Sequence, residues 1–333
     1  MEVGKLPPNA LKRLLARAKP GEGVIVGPGY GEDAAAVEFG GTVLVAAADP
    51  ITFATDRIGY YAVSVNANDV AVVGAEPKFF LATILLPDGS SEADADLVFE
   101  QIEAACEEIN VALIGGHTEV TRSVTQVVVS GCMLGEIDRH RLITSHGARV
   151  GDAVVLAGGI AIEGASILAR EAADDLKAAG VDAGVIDCAK SYLDDPGICI
   201  LDYARAAVNQ GGVTAMHDPT EGGLATALRE LADASGCGLE IHRDRIHVWD
   251  DCAVICAALS IDPLGLIASG SLLITCEPHR AVMIVRALAM EGVLADVIGR
   301  VVEPGCGVRF ADGSPLPSFE RDEIARFFEA KRG

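Results

Sequence analysis

One segment, residues 60–74 with the sequence YYAVSVNANDVAVVG, constrains the fold more than any other part of this 333-residue chain. Its apolar residues cover nearly every side of a helix, and a helix of that kind has to be buried. Within it stand Asn66, Asn68 and Asp69, and a buried amide or carboxylate is costly unless it is hydrogen-bonded or bound to a metal ion. Asn66 and Asp69 are three residues apart and share one helix face. We interpret the segment as a core helix carrying a metal or phosphate site, the alternative being an internal hydrogen-bond network.

Strand and helix patterns alternate along the chain. In the first half we predict strands at 24–26, 34–39, 42–48, 79–86, 111–114 and 125–134, and helices at 59–74 and 91–110. In the second half we predict strands at 153–156, 213–216, 272–276 and 295–302, and helices at 163–179, 198–210, 223–235, 252–259, 278–291 and 320–330. Ser91 and Asp94 have the spacing of a capping box. The predicted fold class is α/β (α+β) with two domains, 1–145 and 146–333, joined through a linker-like stretch at 136–152.

The charge balance excludes some classes of partner. The chain has 26 Lys and Arg against 48 Asp and Glu, a net charge of −22. Nucleic acids and anionic lipid surfaces attract basic proteins, so neither is an expected partner. Apolar runs end at charged residues before they reach the length that spans a bilayer, and the first residues lack a signal-peptide pattern. We therefore expect a soluble, cytoplasmic protein with a mostly solvated acidic surface.

The nine cysteines indicate reduced thiols rather than a disulfide framework. Their number is odd, and most stand in apolar stretches, where cysteine acts as a small hydrophobic residue. Cys252 and Cys256 are one helical turn apart, which leaves a zinc site as the alternative for this pair.

Two candidate site segments lie early in the chain. Residues 27–33, GPGYGED, combine glycines that permit close approach of a ligand with Asp33, a ligand for a hard cation. A plain turn between two strands is the alternative reading. Asp49 ends an unbroken apolar strand, where a carboxylate either faces a site or caps the next turn.

Two further segments combine glycines with polar groups. Residues 115–119, GGHTE, follow a short predicted strand and suit a loop that holds phosphate and metal, although a simple Gly-Gly turn would look the same. Residues 217–223, HDPTEGG, lead from a strand into a helix whose first N–H groups can bind an anion. The alternative there is an ordinary N-cap by Thr220 or Glu221.

Four acidic positions thus fall at candidate sites: Asp33, Asp49, Asp69 and Glu119. Oxygen ligands contributed by several elements suit Mg²⁺ that bridges to phosphates, and do not suit zinc. An acidic protein can hold a polyphosphate through such ions.

These motifs, in this order, resemble the AIR synthase (PurM) superfamily. The matching segments are GYGEDAAAV (29–37), Asp49, VNANDVA (65–71), GAEP (74–77), GGHT (115–118) and DPTEGGLA (218–225). Within the superfamily, GARVGD (147–152), EGASILARE (163–171) and ASGSLLI (268–274) are most similar to the branch of the hydrogenase maturation factor HypE.

The resemblance implies a two-domain fold whose N-terminal domains pair in a homodimer through a joint β-barrel. It implies ATP bound with Mg²⁺ and phosphoryl transfer to a substrate oxygen, with Asp33, Asp49 and Asp69 as ligands. Glu221 stands where thiamine-monophosphate kinase has an aspartate, and His117 is a candidate acid–base group because histidine is the side chain best suited to that role near neutral pH. The implied nucleotide contacts are Gly29, Gly31, Asn66, Gly115, Gly116, Thr118, Gly222 and Gly223.

The chain also departs from the HypE pattern. That branch ends in a short tail with a terminal cysteine, whereas the last cysteine here, Cys306, is followed by 27 residues. His117 replaces an aspartate of the branch, and Glu221 replaces an arginine. We therefore predict an ATP-dependent enzyme that acts on a carbonyl, carboxylate or phosphate oxygen of a small-molecule or protein-borne substrate. The alternatives are a non-catalytic nucleotide-binding dimer with a metalloenzyme maturation partner, or a small-molecule kinase.

Overall fold

The computed structural model describes residues 6, 8–52 and 56–331, which form two compact units. The first unit comprises Pro20–Gly27 and the described residues of Asp33–Leu142. The second comprises Pro28–Glu32 and the described residues of Met1–Lys19 and Ile143–Gly333, and it includes helix α1 (Pro8–Leu15). The chain therefore divides near residue 143, and two short segments from before this point belong to the second unit.

A mixed sheet of seven strands organises the first unit. The strands are β1 (Val24–Val26), β2 (Ala35–Phe39), β3 (Thr42–Ala47), β4 (Pro50–Ile51), β5 (Glu76–Pro87), β6 (Ala112–Thr121) and β7 (Val128–Ile137). Their order is β1-β2-β3-β7-β5-β6, and β4 pairs with β7. Neighbouring strands are antiparallel except β5 and β6, which are parallel.

Two helices complete the first unit. Helix α2 (Ile58–Val72) packs on the sheet, and α3 (Glu92–Glu108) packs on α2. Every residue of α2 is buried, as its apolar composition predicts. The predicted capping box of α3 is confirmed, because Ser91 and Asp94 exchange side-chain-to-backbone hydrogen bonds at its start.

The sheet buries one face and leaves the other half-exposed. Along β3 and most of β7, buried residues alternate with partly exposed ones, the period-2 pattern of a strand with one covered face. Leu44, Leu81, Leu85 and Leu134 lie at partly exposed positions of this alternation. The open face is therefore largely apolar.

Strand β6 corrects one prediction. The strand expected at 111–114 does not end at Gly115; it continues through the supposed loop as far as Thr121. Gly115 and Gly116 have φ of 148° and 149°, which glycine adopts readily, and a register shift beside Leu81 accommodates them. A Cβ on Gly116 would lie only 1.8 Å from the carbonyl oxygen of Ala82 on β5, so this glycine is what lets the two strands pair here.

A six-stranded sheet organises the second unit. Its strands are β8 (Ala153–Ala157), β9 (Val213–His217), β10 (Gly238–Ile241), β11 (Leu272–Cys276), β12 (Ala295–Val302) and β13 (Val308–Phe310). They are ordered β13-β10-β12-β8-β11-β9, with a parallel pair β10–β13 and antiparallel pairs elsewhere. Every residue of β8 and β11 is buried, so both faces of the sheet centre are covered.

The remaining helices belong to this second unit. They are α4 (Ile162–Glu171), α5 (Ala173–Ala178), α6 (Ala183–Ser191), α7 (Leu201–Asn209), α8 (Gly223–Ser235), α9 (Asp250–Ala258), α10 (Ala281–Met290) and α11 (Glu323–Ala330). The single helix predicted at 163–179 is broken at Ala172, whose φ of −127° is not helical. The helix predicted from residue 198 starts at Leu201.

Among the described helices, none is both long enough and apolar enough to cross a bilayer. All nine cysteines are free thiols. Burial raises the pKa of the Cys256 thiol to about 12, which keeps this thiol protonated near neutral pH.

Gly116→Ala should destabilise the first unit by about 1–3 kcal/mol, because the new Cβ overlaps the backbone of β5. The free energy of unfolding is measured by urea denaturation. Gly115→Ala is the matched control: it has nearly the same φ, but a Cβ there meets no atom within 4 Å. Equal losses in the two variants would show that backbone conformation, and not the contact with Ala82, is what requires a glycine.

Candidate functional site

The side chain of Asn66 holds the backbone of Asp49. From the buried helix α2, its Oδ1 accepts a hydrogen bond from the N–H of Asp49 at 2.8 Å. Its Nδ2 donates to the carbonyl oxygens of Asp49 at 3.2 Å and Ala62 at 2.8 Å. The N–H of Gly131 on β7 also donates to the Asp49 carbonyl, at 3.0 Å. Both donors of the Asn66 amide are thus used within the chain, and they fix the point where β3 ends.

Asn68 and Asp69 lie further along the same helix. Both are buried, with 0% and 5% of their surface exposed. Because Asp69 is three residues beyond Asn66, the two share a face of α2, and their Cβ atoms are about 5–6 Å apart. The side chain of Asp69 therefore lies near that of Asn66 on this helix face.

Asp33 and Asp49 come to the same edge of the sheet. Strands β2 and β3 are antiparallel, and Ala35 at the start of β2 pairs with Ala46 near the end of β3. Asp33 stands just before β2 and Asp49 just after β3. The two residues therefore lie at the same end of this strand pair. Asp49 is exposed and Asp33 is half-buried. The strand pairing therefore places at one end of β2 and β3 two residues that are 16 positions apart in the sequence.

His117 and Glu119 lie apart from that pair, on β6. Consecutive pairings join Pro50 to Ser130, Ser130 to Thr83 and Thr83 to His117, which makes one row across β4, β7, β5 and β6. Three interstrand steps correspond to about 14 Å. Within one chain, Glu119 is therefore not a ligand of the ion that Asp49 could hold.

The imidazole of His117 contacts a carboxylate. Its Nε2 lies 3.3 Å from Oε2 of Glu119, two residues on and so on the same face of the strand. Both side chains are exposed, with 63% and 48% of their surface accessible. Thr118, between them, points to the opposite face.

Gly29 and Gly31 belong to the second unit. A Cβ on Gly31, whose φ is +79°, would lie 3.1 Å from the carbonyl oxygen of Glu230 on α8. This close approach of the two backbones explains why residue 31 is a glycine, and no contact with a ligand is needed to explain it.

In the second unit, the N-terminus of α8 already has an anionic partner. The N–H of Gly222 donates to Oδ2 of Asp322 at 2.6 Å, and Oδ1 of Asp322 accepts from the N–H of Ile324 at 2.8 Å. Gly222 and Gly223 have φ of +85° and +62°, and a Cβ on Gly223 would lie 2.6 Å from the carbonyl oxygen of Leu266. The anion expected at this helix end is thus a carboxylate from the chain itself.

Two buried carboxyl groups in this unit interact with Glu221. Asp322 and Glu163 are 4% exposed each, and the Ser269 N–H donates to Oε2 of Glu163 at 3.0 Å. Burial raises the pKa of both groups to about 7, and the nearby charge of Glu221 adds to the increase. Near neutral pH these carboxyl groups exist partly as proton donors and partly as acceptors.

Sequence reasoning missed three of these groups as site residues. They are Glu163, Asp322 and Glu230, the last of which lies 3.2 Å from Nε2 of the buried His217. Asp322 carried one usable signal, because an aspartate before an amphipathic helix predicts an N-cap, and it does cap α11. Its second contact, with Gly222 a hundred residues away, had no signal in the sequence.

Family models match most of this chain. Residues 31–137 match the N-terminal domain of AIR synthase related proteins, and residues 149–311 match their C-terminal domain. The chain belongs to the AIR synthase related family, as the resemblance of its motifs predicted.

Two relatives show where in the family it stands. A putative hydrogenase expression/formation protein of Methanocaldococcus jannaschii is 30% identical, over 86% of this chain and 87% of its own. The carbamoyl dehydratase HypE of Cupriavidus necator is 31% identical, over 77% of this chain and 71% of its own. The predicted similarity to the HypE branch is thus confirmed.

Solved structures share the fold. A HypE–HypF complex superposes with a TM-score of 0.74 at 21% identity, covering 93% of this chain and 99% of that one. A ThiL bound to AMPPCP and TMP gives 0.72 at 23%, covering 94% of each chain. HypE in complex with ATP gives 0.68 at 24%, covering 88% and 90%. These likenesses confirm the predicted two-domain α/β fold.

Raising the pH from about 5 to about 8 should lower the melting temperature, in part through Glu163 and Asp322. Their ordinary pKa values, 4.5 and 3.8, rise to about 7 in the folded chain, so folding favours their protonated forms. This contribution to stability is fully present below the unfolded pKa values and is lost as the pH rises through about 7. Circular dichroism melts at several pH values measure the effect.

Glu163→Gln and Asp322→Asn should each make the melting temperature less dependent on pH over this range. Asp174→Asn, which changes a carboxylate that is 98% exposed in the same unit, should leave the dependence unchanged. If all three variants kept the wild-type pH dependence, the two buried carboxyl groups would not be its source.

Proposed function

We propose that this chain is an ATP-dependent, Mg²⁺-assisted enzyme that activates a carbonyl, carboxylate or phosphate oxygen by phosphoryl transfer. The HypE relative named a carbamoyl dehydratase and the solved HypE bound to ATP support this reading. The single observation that carries it is that Asp33 and Asp49 stand at the same end of the β2–β3 strand pair, where Asn66 fixes the Asp49 backbone.

Asp33, Asp49 and Asp69 are the proposed Mg²⁺ ligands. All three offer carboxylate oxygens, the donors that Mg²⁺ prefers, and Mg²⁺ usually binds through one or two carboxylates plus phosphate oxygens. A chain with a net charge of −22 needs such cations to hold a triphosphate. Glu119 is proposed to hold a separate cation, since it lies about three strands away from Asp49.

The proposed nucleotide contacts are those that the resemblance to the family implies. They are Gly29, Gly31, Gly115, Gly116, Thr118, Gly222 and Gly223. The N–H of Gly222 would first have to release Asp322. Asn66 contributes by positioning Asp49, because both of its amide donors are engaged.

Catalysis of phosphoryl transfer depends mainly on positioning and on neutralising charge, and Mg²⁺ would supply the neutralisation. His117 is the proposed acid–base group for the acceptor oxygen, and Glu119 orients its imidazole. Glu221 is the second proposed acid–base group. The pKa values of its buried neighbours Glu163 and Asp322 are raised to about 7, chiefly by burial and in part by the charge of Glu221.

A homodimer is also proposed, with the two first units paired through their open sheet faces. Leu81, Leu85 and Leu134 lie on this half-exposed apolar face, and covering it would remove them from water. His117 pairs in register with Thr83 on the same face, so pairing would enclose it. A cytoplasmic location and a small-molecule or protein-borne substrate remain predictions.

A second candidate is a non-catalytic nucleotide-binding role in metalloenzyme maturation. The relative from Methanocaldococcus jannaschii is named for hydrogenase expression and formation, and one similar structure is a HypE–HypF complex. The two functions differ in one measurable respect, since only the enzyme forms ADP from ATP.

ATP should bind this chain more tightly with Mg²⁺ than without, and Asp49→Asn should weaken the Mg²⁺-dependent part by about tenfold or more. The reason is the loss of one carboxylate charge from the proposed cation site. Isothermal titration of ATP with and without Mg²⁺ measures both effects, and an assay for ADP distinguishes the enzyme from the maturation role.

Asp96→Asn is the control, because it removes an exposed carboxylate from α3 in the same unit. ATP that fails to bind under either condition would overturn the proposed function. Equal losses in Asp49→Asn and Asp96→Asn would remove Asp49 from the site.

Leu85→Asp combined with Leu134→Asp should convert the proposed homodimer to monomers, because two carboxylates would be buried in the paired faces. Sedimentation velocity measures the mass. Leu97→Asp, at an apolar residue of α3 that is 55% exposed, should leave the dimer intact. A wild-type chain that sediments as a monomer would contradict the proposed pairing.

A further inference from the structure

Glu221 stands in a tight turn at the start of α8. The N–H of Gly223 donates to the carbonyl oxygen of Thr220 at 3.0 Å, which closes a four-residue turn with Glu221 and Gly222 at its centre. Gly222 has φ of 85° and ψ of 3°, the values of the third residue of a type II turn. Glycine adopts this conformation without steric cost, so the residue type and the backbone agree.

The turn type decides the direction of the peptide group between Glu221 and Gly222. Type I and type II turns differ mainly in this central peptide, because ψ of the second residue is about −30° in type I and about +120° in type II. The direction of the peptide therefore sets ψ of Glu221. This angle orients the Cα–Cβ bond of Glu221 relative to the first residues of α8.

Asp322 holds the central peptide of the turn. Its Oδ2 accepts a hydrogen bond at 2.6 Å from the N–H of Gly222, which belongs to that peptide. A reversed peptide would direct the carbonyl oxygen of Glu221 toward the carboxylate, and neither group could then donate a hydrogen bond. The contact with Asp322 therefore favours the type II form of the turn.

The carboxylate of Asp322 does more than an N-cap requires. A cap needs one oxygen, and Oδ1 supplies it to the N–H of Ile324 at 2.8 Å. Serine or asparagine would cap α11 without burying a charge, whereas Asp322 is 4% exposed and burial raises its pKa to about 7. Asparagine has only one oxygen and could not accept from both N–H groups. The second oxygen is the one that binds Gly222.

We propose that Asp322 is a positioning residue for Glu221: it holds the turn at 220–223 in the type II form, so that the Glu221 side chain meets the acceptor oxygen in one orientation. The inference rests on the proposed function, in which Glu221 is an acid–base group. It keeps the N–H of Gly222 on Asp322 while ATP is bound, so a nucleotide contact of Gly222 would not use this N–H.

The test is a double-mutant cycle on the full chain, with ADP formation from ATP and Mg²⁺ as the measurement. Glu221→Gln should lower kcat by about a hundredfold, the scale expected for loss of an acid–base group. Asp322→Asn should lower kcat by about tenfold and change KM for ATP by less than about twofold, because orientation affects the chemical step. The double variant should be no slower than Glu221→Gln, since no group is left to position.

Glu323→Gln is the matched control. Glu323 is the neighbouring carboxylate at the start of α11 and is 7% exposed. It accepts a hydrogen bond from the N–H of Asp262 at 3.2 Å and pairs with Arg326, so it anchors the helix without contacting Gly222. Glu323→Gln should lower the melting temperature and leave kcat unchanged.

Gly222→Ala tests the same turn from the other side of the hydrogen bond. Alanine disfavours the positive φ of this position, so the variant should lower kcat in the wild-type chain. It should lower kcat no further when combined with Glu221→Gln. This second route remains available if Asp322→Asn fails to fold, which circular dichroism detects.

Hydrogen–deuterium exchange gives a measurement that does not depend on activity. Exchange in the segment 217–223 should rise in Asp322→Asn, which weakens the hold on the Gly222 N–H, and should stay unchanged in Glu323→Gln. Unchanged exchange in a folded Asp322→Asn variant would contradict the proposed role.

The outcomes separate this inference from the function on which it rests. A wild-type chain that forms no ADP would overturn the proposed enzyme and the inference together. If the wild-type chain forms ADP, an equal fractional loss from Asp322→Asn with and without Glu221 would overturn the inference alone, because Asp322 would then act only on stability. Tighter binding of ATP by Asp322→Asn would also overturn it, since ATP would then displace Asp322 from Gly222.

Discussion

The amide of Asn66 is the interaction on which the first unit depends most. It lies in the middle of a helix buried on every side, and it satisfies both the N–H and the carbonyl group of Asp49. Leaving such groups without partners costs about 1–3 kcal/mol, so the helix and the end of β3 are held in one relative position. That position places the Asp49 backbone at the end of the β2–β3 strand pair that Asp33 precedes. A single buried side chain thus connects the core of the unit to its candidate metal site.

In the second unit, a carboxylate of the chain itself accepts a hydrogen bond from the N-terminus of a helix. The N-terminus of α8 exposes N–H groups that favour an anion, and the carboxylate of Asp322 accepts one of them at Gly222. This contact ties the last helix of the chain to the loop that carries Glu221. Burial raises the pKa of Asp322 and of Glu163 to about 7, and the charge of Glu221 on this loop adds to the increase.

Short-range sequence patterns predicted the buried helix α2 and the start of α3. The apolar segment at 60–74 became the buried helix α2, and Ser91 with Asp94 became the capping box of α3. The prediction was wrong at Gly115 and Gly116, which were interpreted as the end of a strand. They continue β6, and at Gly116 only glycine tolerates the approach of the β5 backbone. That approach is a contact between strands, and nothing in the local sequence reports it.

The same contrast, between local sequence and contacts across the fold, applies to the candidate site residues. The sequence by itself determined the family, the two-domain class and the set of acidic and glycine positions, because these depend on residue type and order along the chain. The tertiary structure decided that Asp33 and Asp49 share an edge, that Glu119 lies about three strands away and that the amide of Asn66 is engaged with backbone. It also decided that Asp322 reaches Gly222. Strand register and contacts between distant segments set these neighbours, and both arise only when the sheets and helices pack together.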